Sequence, residues 1–335
     1  MRIEQIIEQI GQLKVAVVGD VMIDRYIEGC IERISPEAPV PVLNFQHEEN
    51  RLGGAANVAL NLKALGAEVH ICSVIGQDDN GEELLDILER RGFSIDSIVR
   101  STDRQTTVKT RVIAANQHVL RVDREDKFDL NNIEKSNLLS GIERLIENQE
   151  IDIILLQDYN KGVLSQKVIE KTLQLAKQYD VLTSVDPKKK NFLAYKGVDL
   201  FKPNLSEVKE QLPFDIKPSI EDLNRADLFL RDKLGHKLSL ITLSEHGVYL
   251  SDGEKSVICP TQARSIVDVC GAGDTVISVA SLIMHFEKDL KQLGFLANLA
   301  GGQVCEKVGV VPIDKDLLIS EYNLNKNSYL TENLL

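Results

Sequence analysis

Short apolar runs rich in β-branched residues recur along this chain at 14–20, 67–76, 151–158, 181–187, 199–204 and 237–244. Each is continuous rather than alternating, the pattern of strands covered on both faces. Between them the apolar positions take helical spacing, over 55–65, 82–91, 165–179 and 220–234. Ile3, Ile6, Ile7, Ile10 and Leu13 repeat that spacing at the start. The alternation predicts the α/β class, with a mostly parallel central sheet and helices on both faces. Two stretches depart from it. Residues 40–51 and 106–126 read as extended, the second alternating at Val108, Thr110 and Val112, then at Val119, Arg121 and Asp123, about a turn near Ala115 and Asn116. They predict a small β-sheet, its strands within about 28–51 and 106–126, serving as a lid or a dimer surface. No repeat, low-complexity tract or Pro/Gly linker divides the chain, so residues 1–335 are expected to form one domain.

Composition then removes several function classes. The net charge of -12 argues against nucleic acid, whose binding needs phosphates neutralised by Lys and Arg. A small phosphorylated ligand stays open, because a pocket can be locally basic. The five cysteines, Cys30, Cys72, Cys259, Cys270 and Cys305, are scattered without CxxC spacing. That predicts neither a disulfide framework nor zinc, and a reducing, cytoplasmic setting. Six dispersed histidines form no HxH or HExxH pattern. There is no signal-peptide pattern and no apolar run of membrane-spanning length, so no membrane association is expected.

Chemistry concentrates at the ends of the predicted strands, where open α/β sheets place their ligands. Asp20, Asp24, Asp158, Asp186, Asn204 and Ser244 all stand there. Further on, "SIVDVCGAGDTVISVA" (265–280) sets Gly271-Ala272-Gly273 before Asp274 in the first turn of a helix. Such a loop leaves backbone N–H groups open to an anion. An acidic residue there either complements the helix dipole or accepts a proton from an attacking hydroxyl. The chain has no GxxxxGK[ST] phosphate loop and no GxGxxG dinucleotide fingerprint, which favours phosphoryl transfer of another design.

"DVCGAGDT" and "RLGGAANVALNLKALGAEV" resemble the two signatures of the PfkB/ribokinase family of sugar kinases, and the resemblance runs from about residue 14 to about 312. It implies a ribokinase-like fold, ATP with Mg²⁺, and phosphoryl transfer to a sugar hydroxyl; a monovalent cation such as K⁺ is left open. Further blocks, "GDVMIDRYIEG", "RISPEAPVPVL", "DYNKGVLS", "SVDPK" and "KPNLSEV", resemble the kinases of D-glycero-D-manno-heptose 7-phosphate in ADP-heptose and lipopolysaccharide-core synthesis. That implies phosphorylation of the anomeric oxygen to the 1,7-bisphosphate. Many such relatives carry a C-terminal nucleotidyltransferase domain; no HxGH-type motif follows Pro312, so the kinase alone is expected. Rival expectations are a kinase of hexose phosphates, pentoses or nucleosides, or a non-catalytic sugar-phosphate sensor.

The resemblance assigns roles by position. Asp274 matches the catalytic base, and Gly271, Ala272 and Gly273 match the anion hole. Asp24, Gly53, Gly54 and Asn57 match sugar-binding positions, with Asp186 counted among the substrate residues; carboxylates and amides suit a polyol because each can take two hydroxyls. Asn204 and Glu207 match an NxxE element that orients Mg²⁺-bound water and phosphates, although they also read as a helix cap. Ser244, Gly247 and Asn298 match positions lining the nucleotide pocket. Candidates for gripping the substrate's own phosphate are Arg33, Lys109, Arg111, Arg121, Lys161 and Lys188. A homodimer through the lid strands is also expected. Cys270 stands where relatives commonly have Thr, at a helix N-terminus that can lower a thiol's pKa.

Overall fold

Both faces of the predicted strands are covered, and the core divides accordingly. In Lys14–Gly19, Val15 and Val17 join one apolar cluster while Ala16 and Val18 join another; Ile153 and Leu155 against Ile154 and Leu156 repeat the split one strand away. This two-sided burial is why these runs do not alternate with polar residues. The computed structural model describes residues 2–331 other than 116, 150 and 263.

The chain opens with α1 (Ile3–Ile10) and β1 (Lys14–Gly19), then two long strands, β2 (Val21–Ile34) and β3 (Pro41–Gly54). Next come α2 (Ala55–Leu65), β4 (Glu68–Gly76), α3 (Asp79–Arg90), β5 (Ile98–Ser101), β6 (Val108–Ala114), β7 (Gln117–Arg124), α4 (Asn132–Gln149) and β8 (Ile153–Gln157). The second half holds α5 (Gln166–Gln178), β9 (Leu182–Asp186), β10 (Leu200–Phe201), α6 (Leu205–Lys209), α7 (Ile220–Leu234), β11 (Leu238–Thr242), β12 (Val248–Ser251) and β13 (Ser256–Cys259). The helices α8 (Ala272–Phe286), α9 (Leu290–Cys305) and α10 (Lys315–Thr331) follow.

Among the described residues the main sheet has nine strands in the order β13-β12-β11-β10-β9-β8-β1-β4-β5. Its pairings are parallel from β5 to β11, and β12 and β13 add an antiparallel edge. Helices α1, α2, α8 and α9 supply one core, and α4, α5 and α7 the other. The mostly parallel, doubly covered sheet is therefore as expected.

The small sheet is larger than expected. Its order is β3-β2-β6-β7, with β2 parallel to β6 and the outer pairs antiparallel. Residues 21–34 form a strand from end to end, so the lid begins at Val21 rather than near 28. β2 and β3 stay paired from Val21↔Gly54 to Ile34↔Pro41, with register shifts between Glu28 and Gly29 and between Ile31 and Arg33. The unanticipated part, residues 21–27, is mostly buried, at Val21, Met22, Ile23 and Tyr26, and so lacks the one polar face that marks the exposed ribbon. Of the expected turn, Ala115 adopts φ +49 and Asn116 lies outside the described residues. The expected strand at 199–204 shrinks to β10, because Asn204 leaves it to cap α6.

Candidate active site

The glycine loop and α8 form one device. Gly271 caps α8 at φ +79, a conformation that side chains rarely adopt. A Cβ there would also come within 3.0 Å of Asn57 Nδ2. One turn along, Asp274 is 4% exposed. A carboxylate that only complements the helix dipole would sit in water; this one is held by side chains from α2, from the end of β8 and from the loop after it. Asn57 Nδ2 donates to Oδ2 at 2.8 Å, while the Tyr159 hydroxyl and Gln157 Nε2 donate to Oδ1 at 2.7 and 3.1 Å. Burial pushes the Asp274 carboxyl up to about 6, against the lowering influence of the Asn57 and Tyr159 hydrogen bonds. Asn57 is fully buried rather than a helix-surface residue, because α2 packs on α8 through Asn61, whose Oδ1 accepts from Thr275 Oγ1.

Beside this lies a buried ion cluster. Lys202 Nζ donates to Asp186 Oδ2 at 2.7 Å and to the Gly273 carbonyl at 3.3 Å. Lys188 Nζ bridges Asp186 Oδ1 at 3.1 Å and Glu207 Oε1 at 2.6 Å. Burial alone would raise the Asp186 carboxyl; Lys188 and Lys202 outweigh it and hold it below the usual carboxylate range. Asn204 and Glu207 form a complete capping box, Asn204 Oδ1 accepting from the Glu207 amide and Glu207 Oε2 from the Asn204 amide, both at 2.8 Å. Glu207 Oε1 accepts only from Lys188 among the described residues, so the cap does not exhaust the carboxylate.

On the lid side, Asp24 and Arg111 form a buried ion pair. Gly53 lies so close to Asp24 that a Cβ would fall 2.3 Å from its Oδ2, and Gly54, at φ +60, would bring a Cβ to 2.4 Å from the Asp20 carbonyl. At both positions only the lack of a side chain lets the backbone approach its neighbours this closely. Lys109 is half-buried on β6, its Nζ 5.4 Å from the centre of the Tyr159 ring. Burial pushes its ammonium down, and no side-chain acceptor among the described residues pairs with it. Lys161 is already paired with Glu125 at 2.6 Å. Of the two remaining candidates, Arg121 stands opposite Arg111 in the β6–β7 pairing but is exposed and chelated by Asp123 on its own strand. Arg33 is exposed nine residues beyond Asp24 along β2.

Across the Gly271–Gly273 loop from the lid opens a cavity of about 350 Å³. Ser244, Gly247 and Asn298 line it together with Ala272, Gly273 and the apolar Val248, Ile266 and Val276. Asn298 Nδ2 donates to the Pro260 carbonyl at 2.7 Å, so the amide supports the rim. Ser244 adopts φ +55 in a short 3-10 turn, Ser244–His246, rather than ending β11. Asn204 pairs with Thr242 on the cavity's wall, which links the capping box to the same opening.

Two strand-end carboxylates serve the scaffold instead. Asp20 accepts backbone N–H groups of Tyr159, Lys161 and Val163 at 2.9, 3.1 and 3.1 Å, which shapes the loop after β8. Asp158 accepts from the Tyr195 hydroxyl at 2.6 Å, and burial followed by the charge of Asp20 pushes it up to about 7. Cys270 is also corrected. Burial and a hydrogen bond with Asp268 push its thiol up to about 11, away from reactivity. Sequence reading passed over Gln157, Tyr159 and Lys202. Gln157 and Tyr159 flank Asp158, and Lys202 stands two residues before Asn204; only tertiary packing shows that they point at Asp274 and Asp186.

The model of the pfkB family of carbohydrate kinases matches residues 12–316. Proteins named Bifunctional protein HldE are similar: that of Campylobacter fetus subsp. fetus is 40% identical over 89% of this chain, and that of Nitratiruptor sp. 43% identical over 88%. The chain spans 64% and 62% of their respective lengths. Among solved structures, phosphofructokinase-2 from Escherichia coli in complex with potassium superposes with a TM-score of 0.78 at 17% identity, covering 94% of this chain and 99% of that one. Arabidopsis thaliana ribokinase complexed with ribose and ATP gives 0.70 at 18%, covering 92% and 98%. At such identities these two establish the ribokinase-like fold. No helix among the described residues is long and apolar enough to cross a membrane. With a family model spanning most of its length and a buried aspartate behind a glycine loop between cavity and lid, this chain belongs to the PfkB family of carbohydrate kinases.

Proposed function

We propose that the protein transfers the γ-phosphoryl group of ATP to the anomeric hydroxyl of D-glycero-D-manno-heptose 7-phosphate, giving the 1,7-bisphosphate in ADP-heptose synthesis in the cytoplasm. The observation that carries the kinase reading is Asp274, buried between the lid corner and the 350 Å³ cavity and adjoining Gly271–Gly273. Similarity to the HldE proteins and the "RISPEAPVP" block support the heptose phosphate over other sugars.

In this reading the sugar lies against Asp24, Gly53, Gly54 and Asn57, with the adenine nucleotide in the cavity lined by Ser244, Gly247 and Asn298. Asp274 accepts the acceptor hydroxyl's proton as the new O–P bond forms; the bond from the γ-phosphorus to ADP breaks, and its electron pair leaves on ADP. Backbone N–H groups of residues 271–273 and the Lys202 ammonium face the charge on the transferring group. Magnesium, when bound, neutralises charge on the nucleotide phosphates. Asn204 and Glu207 would hold its water shell, which suits a site without a group of three or more His, Cys, Asp or Glu side chains among the described residues.

Lys109, half-buried and in no ion pair among the described residues, is the candidate for the sugar's own phosphate. Lys109→Ala should raise the KM for the sugar phosphate roughly tenfold or more, the worth of one charged hydrogen bond, and leave the KM for ATP unchanged. An equal loss on a sugar lacking the phosphate would remove that role. The exposed Phe45, Leu120 and Val122 of the lid support a homodimer through its strands. Substrate identity is tested by ADP release across a panel of sugar phosphates, where the heptose 7-phosphate should give the highest kcat/KM. Preference for a fructose phosphate would replace it with a hexose-phosphate kinase.

A further inference from the structure

Asp274 accepts hydrogen bonds unevenly. Oδ1 takes two, from the Tyr159 hydroxyl and Gln157 Nε2, whereas Oδ2 takes one, from Asn57. An ionised carboxylate offers about two acceptor positions on each oxygen. Among the described residues Oδ1 is therefore full and Oδ2 has one position open.

We propose that Tyr159 is a positioning residue that, with Gln157, fills Oδ1 and so dedicates Oδ2 of Asp274 to the acceptor hydroxyl. The inference rests on Asp274 being the base. The phenol is built to stay in place. Its backbone amide and those of Lys161 and Val163 are bound by Asp20, and Asn160 follows at φ +55. Its ring has two cations over it, with Lys109 Nζ 5.4 Å and Lys188 Nζ 5.8 Å from the centroid. Burial, then the nearby charges of Asp274 and Asp186, push the phenol well above its ordinary pKa, so the hydroxyl remains a donor and does not compete as a base. The charged groups facing Asp274 are Asp186 on β9, Lys202 just after β10, Lys188 and Lys109 across the ring, and Asp24 on the lid. In the transfer step the acceptor proton passes to Oδ2, the new O–P bond forms as the P–O bond to ADP breaks, and Tyr159 keeps its own proton.

Because the phenol donates to the charged carboxylate, removing it disfavours that charge and raises the pH at which the base protonates. In the full-length protein, Tyr159→Phe should move the acid limb of kcat/KM for the sugar phosphate upward by about one pH unit, the worth of one hydrogen bond to a charged group. Tyr159→3-fluorotyrosine, a stronger donor of nearly the same shape, should move it downward, and carries the test should the Phe variant fold poorly. Acid limbs that superimpose on the wild type in both variants, with Asp274→Asn strongly impaired at every pH, would overturn the role of Tyr159 and leave the base assignment standing. Near-normal turnover in Asp274→Asn would instead overturn the assignment beneath it.

Discussion

Asp274→Asn is expected to cut turnover about 10²- to 10⁴-fold, the range supplied by a positioned general base, while calorimetric titration still shows sugar phosphate and ATP binding. The amide is isosteric but cannot take the acceptor's proton. The wild-type acid limb should fall near the carboxyl's value of about 6. Stability runs the other way. The folded group binds its proton more readily than the unfolded one, whose ordinary value is 3.8, so its contribution to stability rises as pH falls from about 6 toward 3.8. Asp274→Asn removes that contribution. The difference in Tm between wild type and variant should therefore shift in favour of the wild type across this window. Near-normal turnover of the variant would refute the assignment, and a pH-independent Tm difference would show that the carboxyl is not raised in the fold.

The same residue marks what the sequence could and could not disclose. The pattern of apolar positions located helices closely, with α2 and α7 at 55–65 and 220–234 as expected, because the residues a helix buries recur at its spacing. Glycine, which alone tolerates φ +79 or +60 so close to a neighbour, disclosed the loop at 271 and the corner at 54 for an equally local reason. Polar strand-end residues were less readable, since a strand-end carboxylate can serve a ligand or a loop. Asp24 and Asp186 face the site cluster, whereas Asp20 binds three amides of the loop after β8 and Asp158 binds Tyr195. Distinguishing them requires knowing which backbone donors approach from another part of the chain. The cations were least readable. Arg111, Lys161 and Arg121 are matched by Asp24, Glu125 and Asp123, and nothing in their own spacing separates them from Lys109, which forms no ion pair among the described residues.

Lys202→Met should be the most destabilising of the conservative changes around the site. Its ammonium is 3% exposed and joins three pieces that packing alone would leave independent: Asp186 at the end of β9, the segment after β10, and the Gly273 carbonyl of the anion loop. Removing one partner of a buried pair strands the other charge, at a cost of about 3–5 kcal/mol. Asp186 would keep Lys188 at 3.1 Å and the distant Gln157 amide at 3.4 Å, which places the loss toward the lower end of that range. Its pH dependence follows from Asp186. With both lysines present its carboxyl is depressed, so the stability it contributes is present above 3.8 and lost only as pH falls through the lower folded value. Without Lys202, burial is opposed mainly by Lys188 and the carboxyl rises. The variant then sheds its stranded charge by taking up a proton at a pH where the wild type does not. Urea unfolding should accordingly show a deficit of about 3 kcal/mol at pH 7 that narrows toward pH 4. A surface-like deficit below about 1 kcal/mol, or one of constant size across that range, would mean that Lys202 is not the counter-charge holding Asp186. The loss of the Gly273 contact adds a kinetic signature, because kcat should fall even at a urea-free temperature where the variant is fully folded.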